Sequence, residues 1–360
     1  MENFIVSARK YRPTNWESVV GQKSITDTLK TAISSNHLAQ AFLFTGPRGV
    51  GKTTTARILA KTINKNDLKE EISEDEDFAF NIFELDAASN NSVEDIRQLI
   101  DQVRIPPQIG SHKIYIIDEV HMLSASAFNA FLKTLEEPPA HAIFILATTE
   151  KHKVLPTIIS RCQVFDFQRI GINDIVSYLQ YISKQEGITA EETALHTIAQ
   201  KADGGMRDAL SLFDQIVSFS GNNVTYQTVI ENLNILDFEF YFKVTKHVLD
   251  HNASESLLLF NKVLEKGFDG HNFIVGLSAH LRDLLVCSDQ HTQELLETSD
   301  ELRPRYLEQS QKCSKPFLLN ALQLLSDVDF RYKTTKNQRL LVEICMMQLS
   351  SISNMDEKKN

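Results

Sequence analysis

The chain has 360 residues, a hydrophobic content of 42% and a formal net charge of −10. This composition predicts two or three domains and argues against a protein that coats nucleic acid through its bulk charge. No apolar run approaches the ~20 residues needed to cross a bilayer, and the N-terminus lacks the layout of a signal peptide, so we expect a cytoplasmic protein without membrane contact. The cysteines, Cys162, Cys287, Cys313 and Cys345, form no C-x-x-C pair and are expected to be reduced thiols.

Residues 9–22 contain an apolar and aromatic cluster interrupted by Pro13, ahead of a helix expected over about Ser24 to Ser35. Such a cluster usually belongs to a core. It could equally form a wall for an adenine base, with Tyr11, Arg12 and Pro13 close to the ring. The residues leave both alternatives open.

The segment FLFTGPRGVGKTTT, residues 42–55, combines a short apolar strand, a glycine-rich turn and the opening of a helix. It fits the phosphate-binding loop pattern G-x-x-x-x-G-K-[ST], in which backbone N–H groups and the helix N-terminus cradle an anion. We expect Lys52 to reach the β- and γ-phosphates and the Thr53 hydroxyl to hold Mg²⁺. The stretch predicts a nucleoside triphosphate site formed by Gly46, Pro47, Arg48, Gly49, Val50, Gly51, Lys52, Thr53 and Thr54.

The acidic run from Asp67 to Asp77 is expected to be a solvated loop. A strand over FNIFELDA follows. Ser92 and Asp95 then have the spacing of a capping box, and Pro106 and Pro107 are expected to end the helix that this box begins.

Two later strands end in polar residues. The run IYII at 114–117 has the continuous apolar character of a buried parallel strand, and Asp118 and Glu119 follow it. Because open α/β sheets bind ligands at the carboxyl ends of their strands, we expect Asp118 to support Mg²⁺ and Glu119 to orient the attacking water. The strand AIFILATT ends in Thr148 and Thr149, where a side chain could sense the γ-phosphate.

Alternating strands and helices across residues 40–167 predict a parallel, doubly wound sheet. From Ile172 onward no strand is expected. T-A-E-E at 189–192 is expected to cap one helix, and Arg207 to lie in the first turn of another. The remainder, about 237–352, shows apolar stripes at helical spacing, so the fold class is α/β followed by all-α. A plain helical bundle of that size suggests assembly.

Several motifs cover residues 9 to about 215 and read YRPTNWESVVGQ, GPRGVGKTT, ELDAASNNSVEDIR, YIIDEVHMLS, FNAFLKTLEEPP, ILATTE, SRC and GGMRDALSLFDQ. Together they resemble one family, the gamma/tau subunit of bacterial DNA polymerase III, an AAA+ ATPase of the sliding-clamp loader. The resemblance implies an AAA+ domain over 1–168, a helical lid over 169–235 and a helical collar for oligomerisation over 236–360.

The resemblance also implies residue roles, with ATP and Mg²⁺ as cofactors. Asp118 and Glu119 would be the Walker B pair, Thr149 the first sensor and Arg207 the second, and Arg161 a finger that reaches into a neighbouring subunit. The implied partners are further copies in a clamp-loader ring, the delta and delta-prime subunits, the sliding clamp and primer–template DNA. Such a subunit is often classed with DNA-directed DNA polymerase, although no polymerase site is expected in this chain.

Two departures from the family pattern matter. Relatives usually carry a four-cysteine zinc module where this chain has its acidic run, so no zinc site is expected. The long tail of tau forms is also not seen, so binding of polymerase or helicase is not expected. The alternatives are a Holliday-junction motor with a winged-helix domain, a structural clamp-loader subunit with little ATPase activity, and a paralogue that acts in repair.

Overall fold

The computed structural model describes residues 5–35, 37–67, 78, 80–299 and 302–352. The chain divides into two compact units, Met1–Gly187 with Ile198–Gln215 and Ile188–Thr197 with Ile216–Asn360. The three-domain division expected from the sequence stays a prediction. The acidic run lies outside the described residues, apart from Asp67 at the end of a helix. Among the helices of the described ranges, none has the length and apolar character needed to span a membrane.

The first unit is organised around a parallel sheet of five strands in the order β2-β3-β4-β1-β5. Its strands are β1 (Ala41–Thr45), β2 (Ile82–Asp86), β3 (Lys113–Asp118), β4 (Ala142–Thr148) and β5 (Gln163–Asp166). After β1 the chain crosses to the far edge, returns through β3 and β4, and ends on the other side of β1. The predicted doubly wound sheet is confirmed.

Helices cover both faces of this sheet. Those that pack on it are α2 (Lys23–Ser34), α3 (Lys52–Asp67), α4 (Val93–Val103), α5 (Ala125–Glu136) and α6 (Pro156–Ile159). The same unit also contains α1 (Ser7–Lys10), α7 (Ile172–Glu186) and single 3-10 turns at Val120–Met122 and Lys151–Lys153. Phe42 and Phe44 pack in one core with α2 and α3, while Leu43 packs in the other with α4, α5 and α6. Since successive side chains of a strand point to opposite faces, a continuous apolar run fills both cores.

The predicted start of α4 is confirmed in detail. The Ser92 side chain accepts a hydrogen bond from the Asp95 N–H, and the Asp95 carboxylate accepts one from the Ser92 N–H in return. The helix ends at Val103, ahead of Pro106. Both ends of α4 were therefore predictable, the first from the capping box and the second from the prolines that follow the helix.

The region after α7 differs from the prediction in one detail. The two-residue strands β6 (Thr189–Ala190) and β7 (Asn223–Val224) form a small parallel pair, so strands do not stop at residue 172. Thr189 belongs to this pair, its N–H donating to the carbonyl of Asn222, and it does not cap the following helix because that helix begins three residues later, at Glu192. Two-residue strands are too short to produce a periodic pattern. Helices α8 (Glu192–Lys201) and α9 (Met206–Ser220) lie between them in the chain.

The second unit is a bundle of helices around its own core. Its elements after β7 are α10 (Tyr226–Asn232), α11 (Phe238–Leu249), α12 (Ala253–Glu265), α13 (Gly270–Cys287), a 3-10 turn (Gln293–Leu295), α14 (Arg303–Ser310), α15 (Lys315–Tyr332) and α16 (Gln338–Leu349). Phe260, Phe273 and Phe317 are among its fully buried side chains. The apolar stripes of this region thus form a plain bundle core, as the sequence predicted.

Candidate nucleotide-binding site

The candidate site lies where three neighbouring strands of the sheet end. β1 leads into the loop of residues 46–51, β3 ends at Asp118, and β4 ends at Thr148. The register pairs Thr45 with Thr148, and β3 runs beside β4 in the same direction. Because parallel strands end at one edge, the structure brings the predicted loop, acidic pair and sensor threonine together.

The loop between β1 and α3 contains three glycines with positive φ angles, at positions 46, 49 and 51. Gly46 has a φ of 140° and Gly51 a φ of 104°, both in the region that favours glycine. A Cβ atom at Gly46 would also collide with the carbonyl oxygen of Phe167. Helix α3 begins directly after the loop, at Lys52, and adds the positive end of its dipole. This backbone is suited to hold an anion.

Lys52, the first residue of α3, is a buried charged group beside the loop. Its Nζ donates hydrogen bonds to the carbonyl oxygens of Gly46, at 2.8 Å, and Pro47, at 2.7 Å, and the residue is 6% exposed. Burial lowers the pKa of this ammonium group, while Glu119 and Asp118 act in the opposite direction. A buried cation held by carbonyl groups gains from an anionic ligand, so the residue fits a phosphate.

Thr53 and Asp118 form the oxygen pair of the site. The Thr53 hydroxyl donates to Oδ2 of Asp118 at 2.6 Å, and both residues line the same cavity. Hydroxyl and carboxylate oxygens are the ligands that Mg²⁺ accepts when it is bound with substrate phosphates. These two residues fit the expected metal.

Glu119 has an unusual backbone for a residue with a side chain. Its φ of 48° places it in the left-handed region, a conformation that costs on the order of 1 kcal/mol. Its Oε2 accepts a hydrogen bond from Thr149 Oγ1 at 3.1 Å and lies 3.4 Å from the Thr149 N–H that donates to it. The predicted water-orienting carboxylate and the predicted first sensor are therefore in direct contact.

A cavity of about 470 Å³ lies beside the loop and contains most of the predicted residues. Arg48, Gly49, Val50, Gly51, Lys52, Thr53, Thr54, Asp118, Glu119 and Arg207 line it, and so do Tyr11, Arg12 and Pro13. Gly46, Pro47 and Thr149 lie outside this lining but bind side chains within it, as described above. Trp16, by contrast, packs against the core of the sheet. The structure therefore divides the N-terminal cluster between core and cavity.

The N-terminal segment is held by helices of the same unit. The Ser7 N–H donates to Asp214 at 2.7 Å, Lys10 forms an ion pair with Glu186 at 2.6 Å, and the Tyr178 hydroxyl donates to the carbonyl of Tyr11 at 2.8 Å. These bonds connect the cavity wall to α7 and α9.

Two side chains of that wall have perturbed acidity. Burial, with a contribution from Glu186, raises the pKa of the Tyr11 phenol above its usual range. Burial and the neighbouring Arg57 lower the pKa of the Arg12 guanidinium, whose Nε lies 3.3 Å from Thr54 Oγ1. The uncharged phenol of Tyr11 and the guanidinium of Arg12, which lies near a second cation, are suited to a ligand that has both an apolar ring and a negative charge.

Arg207 and Arg161, the two predicted arginines, are placed differently. Arg207 lines the cavity at the start of α9, and its N–H lies 3.3 Å from the carbonyl oxygen of Gly49. Arg161 does not line the cavity. It donates to the carbonyl of Thr157 at 2.6 Å and to Glu136 at 2.5 Å. The structure thus places only Arg207 beside the loop of its own chain.

Several residues at this site were not predicted from the sequence, His121 and Tyr178 among them. His121 contacts Thr148 and Glu119, and Tyr178 lines the cavity. His121 lies within the quoted motif YIIDEVHMLS, so its proximity to the acidic pair was the available signal. Within the described ranges, no cluster of three or more histidine, cysteine or acidic side chains could hold a metal ion.

Comparison with known proteins gives consistent matches. Residues 21–171 match a family model described as DNA polymerase III, delta subunit, and residues 174–222 match one described as DNA polymerase III clamp loader subunit, ATPase lid domain. The chain is 39% identical to DNA polymerase III subunit tau of Bacillus subtilis, covering 96% of this chain and 63% of tau. It is 37% identical to subunit gamma of Buchnera aphidicola from Schizaphis graminum, covering 78% of this chain and 80% of gamma.

Solved structures give a more distant likeness. A mutant of RuvB from Thermotoga maritima has a TM-score of 0.50 and 19% identity, covering 67% of this chain and 80% of that one. At this identity the likeness concerns the fold alone. The chain also spans less than two thirds of the length of the Bacillus subtilis relative, as the 63% coverage states.

Proposed function

The chain belongs to the gamma/tau family of DNA polymerase III subunits, and we propose that it hydrolyses ATP to drive a clamp loader that places the sliding clamp on primed DNA. The observation that carries this proposal is the convergence of Lys52, Thr53, Asp118 and Glu119 on one cavity at the end of the sheet. These groups supply the cradle, the metal ligands and the water-orienting carboxylate of phosphoryl transfer.

ATP would bind with its phosphates on the loop and its base against the N-terminal segment. Lys52 leaves the carbonyl groups of its own loop for the β- and γ-phosphates, and the N–H groups of the loop and α3 bind the remaining oxygens. Tyr11, Arg12 and Pro13 are the proposed wall for adenine. Mg²⁺, held by Thr53 and Asp118, supplies charge neutralisation for the phosphates when bound.

Hydrolysis needs an oriented water and a partner for developing charge. In the proposed step, the oxygen of the water attacks the γ-phosphorus while Glu119 accepts a proton from that water. The bond between the γ-phosphorus and the bridging oxygen breaks, which releases ADP and phosphate. Arg207 stabilises negative charge from the same chain, and Arg161 is the proposed donor from a neighbouring chain. Sensing of the γ-phosphate by Thr149 would act through its contact with Glu119.

Assembly follows from the family. We propose that further copies, delta and delta-prime subunits, the sliding clamp and primer–template DNA are the partners, with the helical second unit contributing to oligomerisation. ATP binding would close the subunits on the clamp, and hydrolysis on primed DNA would release it. The grip on the duplex would come largely from helix N-termini and a few basic residues, which an acidic chain permits.

The alternative functions have less support. A junction motor would need a winged-helix domain, whereas every regular element described after Val224 is a helix. A structural subunit with little ATPase activity has no need of a complete set of loop, metal and water-orienting groups. A role in repair would use the same ATPase chemistry, and turnover that responds to gapped DNA but not to primed DNA would favour it.

The test is ATP turnover by the chain assembled with its delta and delta-prime partners. We expect turnover to rise when sliding clamp and primed DNA are added together, and to rise less with either alone. The Lys52→Ala assembly should stay inactive, while Lys65→Ala, at the far end of the same helix, should behave as wild type. Turnover that is absent, or that ignores clamp and DNA, would contradict the proposal.

A further inference from the structure

A buried histidine lies between two carboxylates beside the cavity. His121 follows Glu119 by two residues, in the 3-10 turn Val120–Met122, and its side chain is 6% exposed. Its Nδ1 lies 2.9 Å from Thr148 Oγ1 and 3.4 Å from Glu119 Oε2, and its Nε2 lies 3.4 Å from Glu150 Oε1. The ring therefore connects the end of β3 to the end of β4 through Glu119 and Glu150.

The hydrogen bonds around Nδ1 fit an N–H that points to oxygen. The Thr148 hydroxyl oxygen accepts the N–H of Glu150 at 3.0 Å. Since a hydroxyl oxygen has two lone pairs, it can also accept an N–H from Nδ1. With a proton on Nδ1, the ring also presents its positive edge to the Glu119 carboxylate, 3.4 Å away, which is electrostatically favourable. Thr148 and Glu150 hold the imidazole in this orientation.

The contacts to Glu119 all use one oxygen. Thr149 Oγ1, the Thr149 N–H and His121 Nδ1 each approach Oε2. This leaves Oε1 of the same carboxylate to take the proton of the attacking water. Because the Glu119 side chain has several rotatable bonds, its carboxylate keeps one orientation only if such contacts select it.

We propose that His121 is a positioning residue for ATP hydrolysis, which anchors the Glu119 carboxylate and is itself anchored by Thr148 and Glu150. The inference rests on the proposed ATPase function. Without the imidazole, Glu119 keeps its contact with Thr149 but adopts more orientations, so fewer of them hold the water in place. Phosphate binding by Lys52 and Thr53 does not involve this histidine.

The test separates turnover from nucleotide affinity in the assembled complex. For His121→Leu we expect turnover to fall about tenfold, a loss of the size that accompanies removal of one polar contact to a charged group, with the affinity for a fluorescent ATP analogue unchanged. His121→Asn should recover part of the turnover, because its amide reaches the position of Nδ1. His121→Gln reaches toward Glu150 instead and should recover less.

The matched control is the neighbouring histidine. His152 also faces Glu150, at 3.6 Å, but its side chain is 76% exposed and it is not among the contacts of Glu119. His152→Gln should leave turnover unchanged. That result would show that the loss of turnover in the His121 variants does not come from a general change of charge near Glu150.

Two sets of results would overturn the inference. Either His121→Leu keeps full turnover, or every His121 variant loses affinity and turnover equally, as a purely structural role requires. If His121→Leu fails to fold, equal turnover of His121→Asn and His121→Gln would also overturn the inference. A wild-type assembly that binds the analogue but never hydrolyses ATP overturns the proposed function instead, so the two failures are distinguishable.

Discussion

Lys52 and Glu119 line the same cavity but have different partners. Lys52 binds the carbonyl groups of the loop, whereas Glu119 binds Thr149. We therefore expect Lys52→Ala to weaken ATP binding by roughly 10- to 100-fold, the range for lost charge-assisted hydrogen bonds. Glu119→Gln should keep binding and lose turnover, because an amide cannot accept the proton of the water. Binding of a fluorescent ATP analogue and steady-state hydrolysis measure the two effects separately.

Equal loss of affinity in the two variants would contradict this division of roles. Lys65→Ala serves as the control, since it removes a cation from α3 without touching the loop.

The kinds of group in the site were predictable from the sequence, but their mutual contacts were not. The loop pattern and the strand-end acids identify Lys52, Thr53 and Asp118 because fixed spacing determines their position. The contact of Glu119 with Thr149 depends on the register of β3 against β4 and on a left-handed backbone, neither of which a motif records. His121 was missed for the same reason.

At the scale of elements, helix α13 buries a titratable group in the core of the second unit. His280 is 2% exposed, with Nε2 at 2.9 Å from Gln309 Oε1 and Nδ1 at 3.3 Å from the Tyr306 hydroxyl. Burial lowers the pKa of this imidazole from 6.5 to about 4, with Arg305 acting in the same direction and the bond to Gln309 opposing it. The folded state therefore disfavours the protonated ring.

This lowered pKa predicts how stability depends on pH. Between pH 4 and pH 6.5 the His280 imidazole binds a proton more tightly in the unfolded chain than in the folded one. The contribution of neutral His280 to stability is therefore fully present above pH 6.5 and is lost as the pH falls toward 4. From pH 7.5 to pH 5 we expect a loss of about 2 kcal/mol in the free energy of opening of α13.

Hydrogen exchange of the α13 amides at the two pH values measures that loss. His280→Gln should remove the larger part of the pH dependence of the free energy of opening of α13, whatever its effect on stability at pH 7.5. A variant that keeps the full pH dependence would show that another group is responsible.

The longer helices and the longer strands of the sheet were predictable because they span enough residues to carry a pattern. The capping box of Ser92 and Asp95 at the start of α4 was predicted, and both of its hydrogen bonds are present. The pair β6 and β7 was missed because its backbone bonds depend on residues far apart in the chain, such as Thr189 and Asn222. Tertiary pairing of this kind leaves no local signal.

At the scale of the whole molecule, we propose that a neighbouring copy in a ring completes the ATPase site. Arg207 already lines the cavity of its own chain, whereas Arg161 is bound to Glu136 and Thr157. An arginine supplied by another subunit is worth about 10³–10⁵ in turnover in related phosphate-loop enzymes. If Arg161 plays that part, Arg161→Ala alone should abolish turnover and leave ATP binding intact.

Mixing two inactive variants tests this claim most directly. Arg161→Ala chains keep an intact loop, and Lys52→Ala chains keep an intact arginine, so assemblies that contain both should regain part of the ATP turnover. Lys52→Ala chains mixed with Arg161→Ala, Lys52→Ala double-variant chains are the control and should stay inactive. A mixture of the two single variants that assembles fully but hydrolyses no more ATP than either variant alone would contradict the shared site.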